Sequence, residues 1–213
     1  MSRSLRKKFY SERTTLDLAR DLLGCEIVHV SEEGEAAGII VETEGYLSDD
    51  PGSHAFRRKT ERNAAMFGPP GTLYIYQIYN HYHCINVVSG REGIGEAVLI
   101  RAIEPTRGIE LMEARRNAAF KVGFARYRSN TLDASSSAGL RSLANGPAKL
   151  TIALGLRLSE HNGASLTSNE LYVRAPARQT TFRIVQTTRV GLTRGADLPY
   201  RFYVERSPFV SKR

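Results

Sequence analysis

Tryptophan is missing from the 213 residues, and cysteine occurs only twice, at Cys25 and Cys84, far apart in the chain. Neither cysteine has a CxxC partner, which excludes a zinc site of that type. Buried reduced thiols are expected, with a single disulfide left open. No apolar run approaches the ~18 residues needed to span a bilayer. The basic start MSRSLRKKFYSERTT lacks the apolar centre of a secretory signal. Acidic residues are the minority, 22 against 30 Lys and Arg, for a net charge of +8. That balance favours an anionic partner, nucleic acid first. Arginine dominates the basic set, and its planar fork suits phosphate.

Repeats, low-complexity tracts and linkers are also lacking, so a single domain suits the length. Thr14 to Leu23 carries Leu16, Ala19, Leu22 and Leu23 at helical spacing, with Gly24 as a stop. Residues 25–30 and 37–44 read as strands around the turn EEGE. Residues 60–67 predict a short helix before GPPG, and ELMEARRNA a longer one. Pro147 in NGPAKL marks another helix start. Residues 123–145 read as a long polar loop, and the C-terminal third alternates short strands and turns. The pattern indicates one α+β domain.

Two segments stand out. TLYIYQIYNHYHCINVV, residues 72–88, holds four tyrosines and two histidines. Strands at 72–78 and 83–89 leave Tyr79-Asn80-His81-Tyr82 as the connection, which puts Tyr79 and Tyr82 at a tip. Exposed aromatics in a basic protein suit a wedge between base pairs. Tyr74 and Tyr76 share one face, with ordinary sheet packing as the plain reading. The second segment, VETEGY, places Glu42 and Glu44 on one strand face with Tyr46. A strand that runs from IIV into two glutamates reads as leaving the core for a rim. Glu42, Glu44, Asp49, Asp50 and His54 could ligate a divalent metal, as in a nuclease. Alternatively one glutamate is a general base for water, with Tyr46 and His54 walling a pocket. Solvated charges on an exposed strand end are the plain alternative.

VETEGYLSDDPGSHAF, TERNAAMFGPPGTLYIYQIYNHYHCINVV, VLIRAIEP, NGPAKL and RFYVERSPFVS run in order from about residue 39 to 211. Together they resemble the alkyladenine (3-methyladenine) DNA glycosylase family. The resemblance implies a single compact domain over residues 1–213, with a curved, mostly antiparallel sheet, flanking helices and a protruding β-hairpin. It implies a monofunctional enzyme of base excision repair. Such an enzyme flips 3-methyladenine, 7-methylguanine or hypoxanthine out of duplex DNA and hydrolyses the N-glycosidic bond, leaving an abasic site. It implies no metal or organic cofactor. The expected partner is double-stranded DNA containing damaged purines, met by a monomer with no membrane attachment, in a bacterial cytoplasm or a eukaryotic nucleus.

Carried over by motif position, Glu44 is the catalytic residue, and Tyr46, His54 and Tyr76 line the base pocket. Asn86 filters bases at the pocket floor, and Tyr79 fills the gap left by the flipped nucleotide. Arg101 touches the phosphate of the extruded nucleotide. From the residues themselves, Arg57, Arg58 and Arg62 are expected to add phosphate contacts. The chain departs from the family at Gly45, where alanine is usual, and at Asn80, where glycine is common. It also carries Arg58, Lys59 and Glu61 in HAFRRKTERN, and Phe209 where tryptophan is frequent. A non-catalytic module for damaged DNA or structured RNA would explain the charge and the tip but leave the pocket residues unused.

Overall fold

The computed structural model describes residues 4–79, 82–121, 131–176 and 181–212. Its eight strands are β1 (Glu26–Ser31), β2 (Gly34–Tyr46), β3 (Leu73–Ile78), β4 (Tyr82–Val88), β5 (Ala97–Arg107), β6 (Leu171–Arg174), β7 (Ile184–Thr187) and β8 (Arg201–Val204). They form one antiparallel sheet in the order β3-β4-β5-β2-β1-β6, with β8 paired to β2 and β7 to β8. β2 is the axis of the molecule. It pairs with β1 from Gly34 to Ile39, with β5 from Ala37 to Tyr46, and with β8 at Glu42–Glu44. Register shifts fall on either side of Glu42, where the neighbour on one side changes from β1 to β8. Irregularities of this kind bend a strand and re-aim its side chains.

The helices are α1 (Lys7–Ser11), α2 (Thr15–Asp21), α3 (Ile109–Lys121), α4 (Ser137–Ala144), α5 (Pro147–Leu154) and α6 (Leu158–His161). Their apolar faces supply Leu18, Met112, Leu143, Leu150 and Leu154 to one core with Ile27, Ile40, Ile75, Ile85, Ile100 and Ile103 of the strands. Strand side chains alternate between faces. Ile75 therefore enters this core, while Tyr74 and Tyr76 join a second, smaller cluster with Ala55, Met66, Val88, Ala97 and Tyr46. The second face carries the site described below.

The expected helix after Thr14 is α2, with the Thr14 hydroxyl accepting from Asp17 N–H at 3.2 Å. Residues 61–67 form a 3-10 helix, closed by a capping box between Thr60 and Asn63. Pro147 opens α5. The turn EEGE narrows to Glu32-Glu33, because β2 begins at Gly34. Two readings need correction. The polar stretch 123–145 is not loop throughout. Its second half is α4, where Ser136 caps the first turn by accepting from Gly139 N–H at 3.0 Å and Leu143 is fully buried. A serine run suits an N-cap as well as a loop, and two leucines three apart decide for helix. Tyr82 belongs to β4, opposite Ile78, rather than to a tip. The hairpin β3–β4 is present, but the expected projection of its tip falls on Asn80 and His81, outside the described residues. Cys25 and Cys84 are both buried and unpaired, so the disulfide left open does not form. No helix among the described residues is long and apolar enough to cross a membrane.

Candidate active site

Glu42 and Glu44 are fully buried, each 0% exposed, and not at a solvated rim. Burying two carboxylates requires paired charge and hydrogen bonds. Arg101, from β5, supplies much of it. Its Nε donates to Glu42 Oε1 at 3.1 Å and its Nη1 lies 3.2 Å from Glu44 Oε1. Burial alone would lower the pKa of Arg101, but Glu44 and then Glu42 outweigh it, so the guanidinium is held charged. Arg201 Nε donates to Glu42 Oε1 at 2.7 Å, and Ser211 N–H donates to Glu42 Oε2 at 2.6 Å. On Glu44, Val190 N–H donates to Oε1 and the Tyr46 hydroxyl to Oε2, both at 2.8 Å. Burial, followed by the charge of Glu44, raises the Tyr46 pKa well above the usual phenol range, so the hydroxyl stays protonated and donates.

Tyr46 is also a wall of a cleft with about 340 Å³ of empty space, lined further by Gly52, His54, Met66, Tyr74, Tyr76, Asn86 and Leu192. Glu44 stands behind Tyr46 and does not itself line the cleft. The His54 ring lies 4.4 Å from Tyr76 in an edge-on contact. Its Nδ1 meets the Tyr74 hydroxyl at 2.9 Å. Desolvation by its neighbours, then the charge of Arg62, lower the His54 pKa, while burial raises that of Tyr74 to about 12. A neutral imidazole that accepts from Tyr74 at Nδ1 carries its proton on Nε2, the nitrogen left to face a ligand. Asn86 is buried, and its amide N donates to Tyr74 O at 3.1 Å, which fixes the side chain at the cleft wall.

A second, wider groove of about 810 Å³ shares His54 and Tyr74 with the cleft and is rimmed by Phe56, Arg57, Arg58, Arg62 and Arg194. None of these four arginines pairs with a carboxylate among the described residues; Arg62 Nη2 donates to Gln77 O at 3.1 Å. Tyr79 follows β3 with φ +46° and is 86% exposed. The structure thus gathers Glu44, Tyr46, His54, Tyr76 and Asn86 at one place. Arg58 and Arg62 lie beside it, and Tyr79 stands at the hairpin turn. Arg101 is apart from the other arginines, 8% exposed and occupied by two glutamates. Gly45 has a local reason: a Cβ there would meet Leu16 Cδ2 at 2.7 Å.

The metal reading loses its ligands. Glu42 is held by Arg101 and Arg201, Asp50 is clamped by Arg189, and no three His, Cys, Asp or Glu residues converge among the described residues. The sequence reading missed Tyr74 as a cleft residue, although its alternation with Tyr76 was visible. It also missed Val190, Leu192 and the Arg189–Asp50 pair, for which no local pattern exists.

The sequence pattern of the methylpurine-DNA glycosylase family matches residues 8–208. A protein of Methanoculleus marisnigri is 49% identical over 208 residues, 96% of this chain and 97% of its own length. A second, from Carboxydothermus hydrogenoformans, is 41% identical over 210 residues, 98% of this chain and 99% of its own. A third, from Francisella tularensis, is 39% identical over 202 residues, 93% and 94% of the two chains. Each carries the name of a 3-methyladenine DNA glycosylase.

Proposed function

The chain belongs to the methylpurine-DNA glycosylase family and is therefore a hydrolytic DNA-repair enzyme, and from that premise we propose that it flips alkylated or deaminated purines into the tyrosine-lined cleft and cuts them from the sugar with Glu44. The observation that carries the proposal is the placement of Glu44. Its carboxylate is fixed one hydrogen bond behind the cleft wall, with two hydrogen-bond donors and the Arg101 guanidinium on its two oxygens. A carboxylate offers about four acceptor sites. The one left over, on the Oε2 side, is where a water would be oriented and deprotonated.

A stacked base is out of reach, so the nucleotide must be everted, at a cost of a few kcal/mol. Tyr79 occupies the vacated stack. Arg57, Arg58 and Arg62 take phosphates. Arg101, buried with its guanidinium on Glu42, Glu44 and Ser211, has little left for a phosphate, and its larger task is to hold the Glu44 carboxylate in place. The bond broken has an oxocarbenium-like transition state. A 3-methyladenine or 7-methylguanine leaving group is already cationic and departs without a second carboxyl group. Hypoxanthine is neutral and depends more on the Nε2–H of His54. Asn86 at the wall penalises an exocyclic amino group. The protein acts as a monomer, since one finger and one cleft serve one lesion.

Glu44→Gln is expected to abolish release of free 3-methyladenine or hypoxanthine while binding of lesion-containing duplex persists. Turnover near that of the unaltered enzyme would remove Glu44 from this role. Base release is expected to continue in chelator.

A further inference from the structure

We propose that Arg189, clamped by Asp50, is a positioning residue of the active site: its guanidinium fixes the Tyr46 ring and, through the neighbouring Val190 N–H, the Glu44 carboxylate. The inference rests on the role of Glu44 proposed above. Between β7 and β8, residues 188–200 form neither helix nor strand. Yet this segment gives Val190 N–H to Glu44 and Leu192 to the cleft wall. At its far end Tyr200 O accepts from Gly45 N–H at 2.8 Å. At its near end the anchor is Arg189.

The Arg189 side chain is 0% exposed, so it cannot meet DNA, and its work is internal. Both terminal nitrogens engage Asp50, Nη2 reaching Oδ1 at 2.8 Å. Nη1 also donates to Gly45 O at 3.0 Å, and Nη2 to Gly195 O at 3.1 Å. The guanidinium lies over Tyr46, 4.6 Å from the ring centroid, and 5.4 Å from that of Tyr200. One group therefore joins β2, the loop that leads to His54, and the segment that carries Val190. Asp50 Oδ1 adds a bond from Gly52 N–H at 2.8 Å, and Gly52 lines the cleft. The socket is shaped to the fork. A Cβ on Gly52 or on Gly195 would each come 3.1 Å from Nη2. Lysine keeps the charge but offers a single ammonium in place of the planar fork. Arg189 sits one residue before the N–H that holds Oε1 and against the ring whose hydroxyl holds Oε2. A shift of the guanidinium thus moves both supports of the catalytic carboxylate.

The test compares wild type with Arg189→Lys and Asp50→Asn in single-turnover base release from duplex containing hypoxanthine or 7-methylguanine. Lesion-duplex affinity and denaturant midpoint are read alongside. A positioning role predicts folded variants whose release rate falls at least about tenfold while affinity changes little. It also predicts that Arg189→Lys and Tyr46→Phe combine less than additively, because both act on Glu44. Folded variants with near-normal rates overturn the proposal. So does a loss confined to binding, strict additivity with Tyr46→Phe, or a complete loss of fold in Arg189→Lys, which would assign the residue to stability. Wild type that releases no base removes the reading of Glu44 and this inference with it. Active wild type beside equally active variants removes this inference alone.

Discussion

Tyr74 bears on the proposed choice between two kinds of substrate through one hydroxyl. Its ring is packed in the smaller core, 1% exposed, and its OH meets His54 Nδ1. Phenylalanine keeps the packing and removes the bond that selects the His54 tautomer. On the proposed assignment, Tyr74→Phe lowers kcat/KM for neutral hypoxanthine by about 2–10-fold, the net worth of one hydrogen bond. A cationic base such as 7-methylguanine is affected less, and paired assays on the two lesions check this. At this scale the sequence was informative where motif and alternation coincide. Tyr46, His54, Tyr76 and Asn86 line one cleft, and Glu44 stands one hydrogen bond behind it. What lay hidden was the counter-charge. IIV followed by two glutamates looks like an exit to solvent, because Arg101, Arg201 and the Ser211 N–H arrive from 59, 159 and 169 positions away. No local pattern reports partners at such a separation.

Among the elements, α4 and the β3–β4 hairpin are where propensity and packing diverge most. Leu143 in α4 is fully buried in the main core. Leu143→Ala is expected to destabilise the fold by about 2–5 kcal/mol, read as a lower urea midpoint; a surface loop would lose close to nothing. Tyr79 is the opposite case. At 86% exposure its replacement leaves the core untouched. Tyr79→Ser is expected to leave the urea midpoint unchanged. It should weaken lesion-duplex binding by about 1–3 kcal/mol, the scale of one aromatic–base stack. Undamaged duplex should lose less, and fluorescence anisotropy on matched duplexes distinguishes the two. The hairpin was legible because β3 alternates between two cores, Ile75 into one and Tyr74 and Tyr76 into the other. Helix α4 was not, because its capping serines are also loop formers and its apolar face is only two leucines wide.

Over the whole molecule, acid weakens the fold through its partly desolvated histidines. His29, His54 and His83 all have pKa values lowered from 6.5, in each case mainly by desolvation. The unfolded chain therefore takes up protons on these rings at a higher pH than the folded one. Their stabilising contribution is complete above the unfolded value. It declines as pH falls through 6.5 toward the folded values and is then constant. Urea midpoints recorded from pH 8 to pH 5 are expected to fall through that window, and His29→Gln should flatten part of the decline. The α+β class and the approximate extents of β1 to β5 followed from hydrophobic period and turn residues. The attachment of β8 and the chain beyond it did not, since three strands compete for β2 and only its bulge decides where each pairs. That attachment reaches to the last described residues: Ser211 N–H caps Glu42, and Lys212 O accepts from Arg201. Loss of Ser211 and Lys212 would thus unpin the ionic scaffold around Glu42, whereas loss of Ser4 and Leu5 would leave that scaffold whole.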